Sequence, residues 1–287
     1  MKTIGRSGGS SGSSVGEAEG YAQECLLFQA DEGLLSRTVS HVREHQRLSI
    51  EKAKAGGKVE TQRLVFTGEA ISALKSQLTI DHPSRTVAIA GLIWKAALDA
   101  RSRRAPTASA AVSLVNVRPR LKTPLPDGCI GNLYWITTAV AETSGDPGME
   151  HFANRVKESV GRVDGELLEK LAAGVEAHRQ FHEQLEGLAA SNTTDDSASL
   201  YKFFSILRMG LSQVDFGWGK PSWVTILGFT ADDVAPVPNL VCLMEATAGG
   251  GAVEAWVSLD EQEMPIFLQH PHLLQYATVN PRIQLIP

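Results

Sequence analysis

The sequence predicts an α/β protein in which a mixed sheet is flanked by helices. Three observations carry that expectation. Short apolar runs bounded by turn residues alternate with longer stretches of helical period. One helical stretch, RTVAIAGLIWKAALDARS from Arg85, is apolar on more than one side, as a helix packed between layers must be. The run Ala108 to Val117 (ASAAVSLVNV) is apolar enough to lie inside a sheet rather than at its rim.

The remaining elements follow in order. Gln62 to Phe66 (QRLVF) reads as a strand, and GEAISALKSQL after it as a helix with Ala70, Ile71, Leu74 and Leu78 on one face. His82-Pro83-Ser84 is a turn with a cap for the next helix. Pro119, Pro124, Pro126, Asp127 and Gly128 mark a long turn before a strand from Leu133 to Val140. Met149 to about Leu188 is helical with a break near Asp164-Gly165, and Ser191 to Ser199 is a polar loop. SWVTIL (Ser222–Leu227) and NLVCLM (Asn239–Met244) read as strands. TAGGG then turns the chain into AVEAWVSL, making a hairpin. Asp260 to Leu268 is a short helix that Pro265 limits or kinks. No internal repeat is visible.

Composition divides the chain into a Gly/Ser-rich flexible segment (1–30), a charged helical extension (31–61) and a foldable domain (62–287). The formal net charge of −5 argues against nucleic acid as a partner. Arg101, Arg103 and Arg104 read as a solvated helix end. The cysteines, Cys25, Cys129 and Cys242, are odd in number and far apart, which fits free thiols in a reducing compartment and no zinc site. No apolar run has the length of a membrane span, and no signal peptide opens the chain, so a cytoplasmic protein is expected. His41 and His45 lie one helical turn apart, as do His178 and His182, but neither pair carries the HExxH arrangement of a zinc protease. No metal is expected.

Several stretches then occur in a telling order. Val115-Asn116-Val117-Arg118-Pro119-Arg120 leads into Gly131-Asn132-Leu133; Asp215-Phe216-Gly217-Trp218-Gly219 follows; Glu254-Ala255-Trp256-Val257 comes last. This arrangement resembles the C-terminal half of the plant BAHD acyltransferases, from about Gln62 to the end of the chain. The resemblance implies one domain of a two-domain, coenzyme-A-dependent acyltransferase fold. It implies transfer of an acyl group from acyl-CoA, a cosubstrate and not a tightly bound cofactor, to a small alcohol or amine. The family's first domain carries a His-x-x-x-Asp motif whose histidine is the general base. None of the eight histidines here has an aspartate four residues on: the residues found are His45, Ser49, Thr86, Arg155, His182, Glu186, Leu274 and Tyr276. The expectation is a chain without the first domain and inactive alone, with no catalytic residue to assign. The alternative is a non-catalytic remnant or binding protein that keeps part of the coenzyme A surface.

The resemblance also implies roles for particular residues. Asp215, Phe216, Gly217, Trp218 and Gly219 form a structural brace, with Asp215 buried against Arg118 and Trp218 filling a large volume between its glycines. Ser113 and Asn116 lie on the strand bordering the coenzyme A side of the channel. Ile206 and Ser212 stand where relatives commonly carry Trp and Tyr, which points to an altered acyl pocket. Chain after the brace would pack on the absent first domain, so Trp223–Leu227 is expected to be an exposed apolar edge open to self-association.

Overall fold

The computed structural model describes residues 58–101, 108–125, 131, 133–172, 198–226, 238–247 and 249–283. Expectations for 1–57 (including Cys25, His41 and His45), for Arg103, Arg104, Pro126–Gly128, Cys129 and Asn132, for 173–197 with His178 and His182, and for Leu227 lie outside the described residues.

Seven strands make one mixed sheet in the order β3-β2-β4-β5-β6-β1-β7. They are β1 (Val59–Phe66), β2 (Ala108–Asn116), β3 (Tyr134–Glu142), β4 (Ala198–Ser205), β5 (Leu240–Glu245), β6 (Val253–Asp260) and β7 (Thr278–Val279). β2, β4 and β5 run parallel to one another, and every other neighbouring pair is antiparallel. The expected strand 108–117 is therefore interior, paired on both sides. The TAGGG turn does close a hairpin, with Glu245 opposite Val253. Gly249, Gly250 and Gly251 take it at φ of 69°, 61° and 77°, angles that glycine adopts without strain.

Six helices are described: α1 (Gly68–Ser76), α2 (Arg85–Asp99), α3 (Met149–Gly161), α4 (Gly165–Ala172), α5 (Met264–Phe267) and α6 (Pro271–Tyr276). Their starts obey capping chemistry. The hydroxyls of Thr67 and Ser84 accept from Ala70 N and Val87 N at the heads of α1 and α2. Asp164 accepts from Leu167 N at 2.9 Å, so the predicted break at Asp164-Gly165 is the start of α4. Pro265 lies in the first turn of α5, where its missing N–H removes no helical bond; it opens that helix and neither limits nor kinks it.

Ten residues of α2 are buried, which accounts for its apolarity all round. α2 packs on the sheet and against α3 so closely that a Cβ on Gly91 would stand 2.6 Å from Ala153 Cβ. Trp94 anchors the contact, with its ring 5.1 Å from that of Phe152 and its indole N–H donating to Ser109 Oγ at 2.8 Å. Leu64, Phe66, Phe203, Leu243 and Val257 complete this core from the sheet. Val115, Val117, Val163 and Leu168 form a smaller cluster below the carboxyl end of β2.

Two segments differ from expectation. β4 was not foreseen, because Ser199 reads as loop and Lys202 interrupts the apolar run; Tyr201 and Phe203 nonetheless alternate into the core, and burial lowers the Lys202 pKa. Ser222–Ile226 is not a strand. Nor is it an exposed edge: Trp223 is half-buried, with its ring 6.2 Å from that of Trp256 and 6.0 Å from the Arg63 guanidinium. Trp223 thus packs beside Trp256 of β6, and the segment does not extend the sheet.

Candidate functional site

A cleft of about 890 Å³ opens where the carboxyl ends of the parallel strands β2, β4 and β5 meet the first turn of α2. Ligands of α/β proteins favour this position, because strand ends and helix N-termini leave backbone groups free to meet them. Ser113, Asn116 and Arg118 all line it. Ser113 is buried and faces the helical layer, while Asn116, on the opposite face of β2, is exposed. Asn116 Oδ1 accepts from Arg118 N at 3.1 Å and closes a short turn. That bond places Arg118 at the cleft mouth, where its guanidinium donates to Gly131 O at 2.7 Å.

The charge of the cleft is one-sided. Lys75, Arg85, Arg118, Arg120 and Arg208 line it, and none of its described lining residues is acidic. These cations are held differently. Arg120 donates to Val160 O and Val163 O at 2.9 and 2.6 Å, capping the end of α3, and burial lowers its pKa. Arg85 donates to Gly251 O at 2.9 Å and stands 3.8 Å from Glu245. Lys75 and Arg208 have no ion pair among the described residues. Arg208 sits at a φ of 65°, on the exposed turn that follows β4. Ser84, Arg85, Lys75 and Arg208 were absent from the residues expected at the site. The cap signature at Ser84 was legible, but nothing local to it says that the helix head faces a cleft.

Beside the cleft, a second cavity of about 780 Å³ lies between the Gly249–Gly251 turn and the loop that carries Asp215. Arg85 borders both, and Gly219 and Lys220 line the second. The loop is built differently from the expected brace. Asp215 is exposed, and its Oδ1 accepts from Gly217 N at 2.8 Å and Gly219 N at 3.0 Å. Those two bonds hold its pKa below the ordinary aspartate value. No ion pair joins it to Arg118 among the described residues; each group has backbone partners of its own. Gly217 and Gly219 take φ of 101° and 107°, which explains both glycines. Phe216 and Trp218 stack on each other with ring centres 5.5 Å apart and are 74% and 82% exposed. Trp218 therefore fills no interior volume.

Among the described residues no group of three His, Cys, Asp or Glu side chains could hold a metal ion, and no helix is long and apolar enough to cross a membrane. Cys242 is buried, and burial pushes its pKa up to about 12, so it is a poor nucleophile.

Comparison with known proteins places the chain. The model of the Transferase family matches residues 21–274, beginning ahead of the Gln62 boundary read from the motifs. Akuammiline synthase 2 of Alstonia scholaris is 29% identical over 280 residues, covering 94% of this chain and 59% of the relative. Stemmadenine O-acetyltransferase of Catharanthus roseus is 32% identical over 210 residues, covering 71% and 45%. The crystal structure of vinorine synthase, an enzyme of Rauvolfia serpentina, superposes with a TM-score of 0.57 at 28% identity over 73% of this chain and 46% of that one. F. graminearum TRI101, complexed with coenzyme A and T-2 mycotoxin, shares the fold at a TM-score of 0.58 and 20% identity, over 78% of this chain and 51% of that one. The chain thus spans about half the length of the relatives it matches. With its mixed sheet, its motifs and this match over most of its length, the chain belongs to the Transferase family, the family of the plant BAHD acyltransferases that its motifs resemble.

Proposed function

We propose that this chain supplies the acyl-CoA-binding part of an acyltransferase site whose general base comes from outside it. The reaction is transfer of an acyl group from acyl-CoA to an alcohol or amine. One observation carries the reading: five cations and no described carboxylate line one cleft in a protein of net charge −5. Coenzyme A carries phosphates along one end, and guanidinium groups beside a helix N-terminus suit them. The O-acetyltransferase among the relatives supports the reaction type.

The chemistry divides between what this chain holds and what it lacks. Arg85 and Arg208 meet phosphate beside the head of α2, where Ser84 already accepts from Val87 N. Ser113 and Asn116 border the path of the acyl-bearing arm. Attack on the thioester needs a base to take the acceptor's proton, after which the tetrahedral oxyanion collapses and expels the thiolate. The Asp99–His270 pair, at 3.0 Å, is the described histidine contact nearest to that chemistry in kind. Asp99, however, ends α2, fourteen residues from the Arg85 end that borders the cleft. The helical rise puts the two about 20 Å apart. His270 is thus no base for this cleft.

The test is release of free thiol. Purified chain is mixed with acetyl-CoA and a panel of alcohols and amines. Release at background is expected, since loss of a general base alone slows such reactions about a hundredfold to ten-thousandfold. Turnover that is clear in the wild type and disappears in His41→Ala or His45→Ala would overturn the proposal that the base lies elsewhere.

A further inference from the structure

We propose that Lys202 is itself an acyl acceptor, modified on Nζ by acyl-CoA held in the cleft. The inference rests on the reading of that cleft as an acyl-CoA site. Lys202 lies on β4, which is paired on both sides, by β2 and β5. Its neighbours Tyr201 and Phe203 belong to the core that α2 covers, so Lys202 projects from the other face of the sheet. On that face it sits between Val112 of β2 and Leu240 of β5, with Leu200 and Phe204 before and after it along β4.

These four neighbours are apolar, an unusual setting for an amine. Among the described residues Lys202 has no ion pair and no side-chain hydrogen bond. Other lysines are held: Lys95 by Asp99 and Asp146, Lys122 by Glu169, Lys157 by Asp81 O and Lys220 by Gln213. Burial disfavours the ammonium of Lys202 and lowers its pKa, which raises the share of neutral, nucleophilic amine at neutral pH. The side chain is only half-buried, so a reagent can reach it.

The cleft begins one row away. Leu114 and Phe204 project from this same face and line the cleft. Two residues of strand separate Phe204 from Lys202, about 7 Å. The flexible four-carbon stem of a lysine spans such a distance. An acyl arm that passes Asn116 and Leu114 brings its thioester to the row that holds Lys202. The neutral amine attacks the thioester carbonyl, a C–N bond forms and the C–S bond breaks. Coenzyme A leaves as the thiolate and takes up the proton that the nitrogen loses. The amide left behind is uncharged and suits the apolar surroundings better than the ammonium does. The step runs once per chain and gives no turnover.

Peptide mapping by mass spectrometry tests the proposal. The full chain is incubated with acetyl-CoA or with S-acetyl-N-acetylcysteamine, a thioester without the nucleotide. Acetylation is followed over time at Lys202 and at the exposed Lys58. With acetyl-CoA, Lys202 should react about tenfold or more faster than Lys58, because binding makes the encounter local. Arg85→Gln and Arg208→Asn should bring the Lys202 rate with acetyl-CoA down to its rate with the small thioester. A Lys202 rate no greater than that of Lys58 would overturn the proposal. So would a rate indifferent to both arginine variants, since the donor would then arrive from solvent. Calorimetry with coenzyme A on the same samples separates the two readings. Binding without preferred acetylation removes only the role of Lys202, whereas no binding removes the cleft reading as well.

Discussion

Asp215 folds its own loop. Its carboxylate accepts from the N–H groups two and four residues ahead, and the two glycines there turn at angles that a Cβ would strain. That the motif needs its glycines was legible in the sequence, because backbone demand is local. That Asp215 is exposed and not paired with Arg118 was not legible, because a partner a hundred residues away is set by the fold. The same bonds make a prediction about acid. A carboxylate whose folded pKa is depressed stabilises its loop above the unfolded value, about 3.9, and loses that stabilisation as pH falls through the folded value. In an NMR titration the amide resonances of Gly217 and Gly219 should therefore move together, with a midpoint below 3.9, an ordinary aspartate value. Resonances that titrate at or above that value would show that the two bonds do not favour the charged form.

At the scale of elements, the ion pair that braces the sheet lies between β1 and β6. Arg63 Nη1 donates to Glu254 Oε1 at 2.9 Å with both side chains buried, and Trp223 covers the arginine. Arg63 also donates to Pro281 O, tying the end of the described chain to β1. Removing one member of a buried pair strands the other, so Glu254→Ala should destabilise by about 3–5 kcal/mol in urea unfolding. Arg63→Met combined with Glu254→Leu should recover most of that loss, because apolar groups of similar volume need no partner. A near-neutral single variant would refute the brace. The elements that sequence made legible are those whose pattern and burial agree, such as α2 and β2. β4 is hidden by Lys202 at its middle, and Ser222–Ile226 has the apolar composition of a strand although only backbone pairing, which composition does not report, would make it one. The hairpin at Gly249–Gly251 was legible because glycines in the left-handed region leave few other choices.

For the whole molecule, the informative quantity is where charge sits, not how much there is. A net charge of −5 spoke against a polyanionic polymer, yet folding gathers Lys75, Arg85, Arg118, Arg120 and Arg208 from four separate stretches of chain around one cleft. Single residues spread over more than a hundred positions leave no local signature. Only the motif stretch with Arg118, Ser113 and Asn116 was visible beforehand, and it marks one wall. Calorimetric titration of the chain with coenzyme A tests that cleft most directly. The account predicts saturable binding that weakens as salt rises, and a loss of about tenfold or more in each of Arg85→Gln and Arg208→Asn, the scale of one charge-assisted hydrogen bond. Absence of binding, or binding that is the same in both variants as in the wild type, would contradict it.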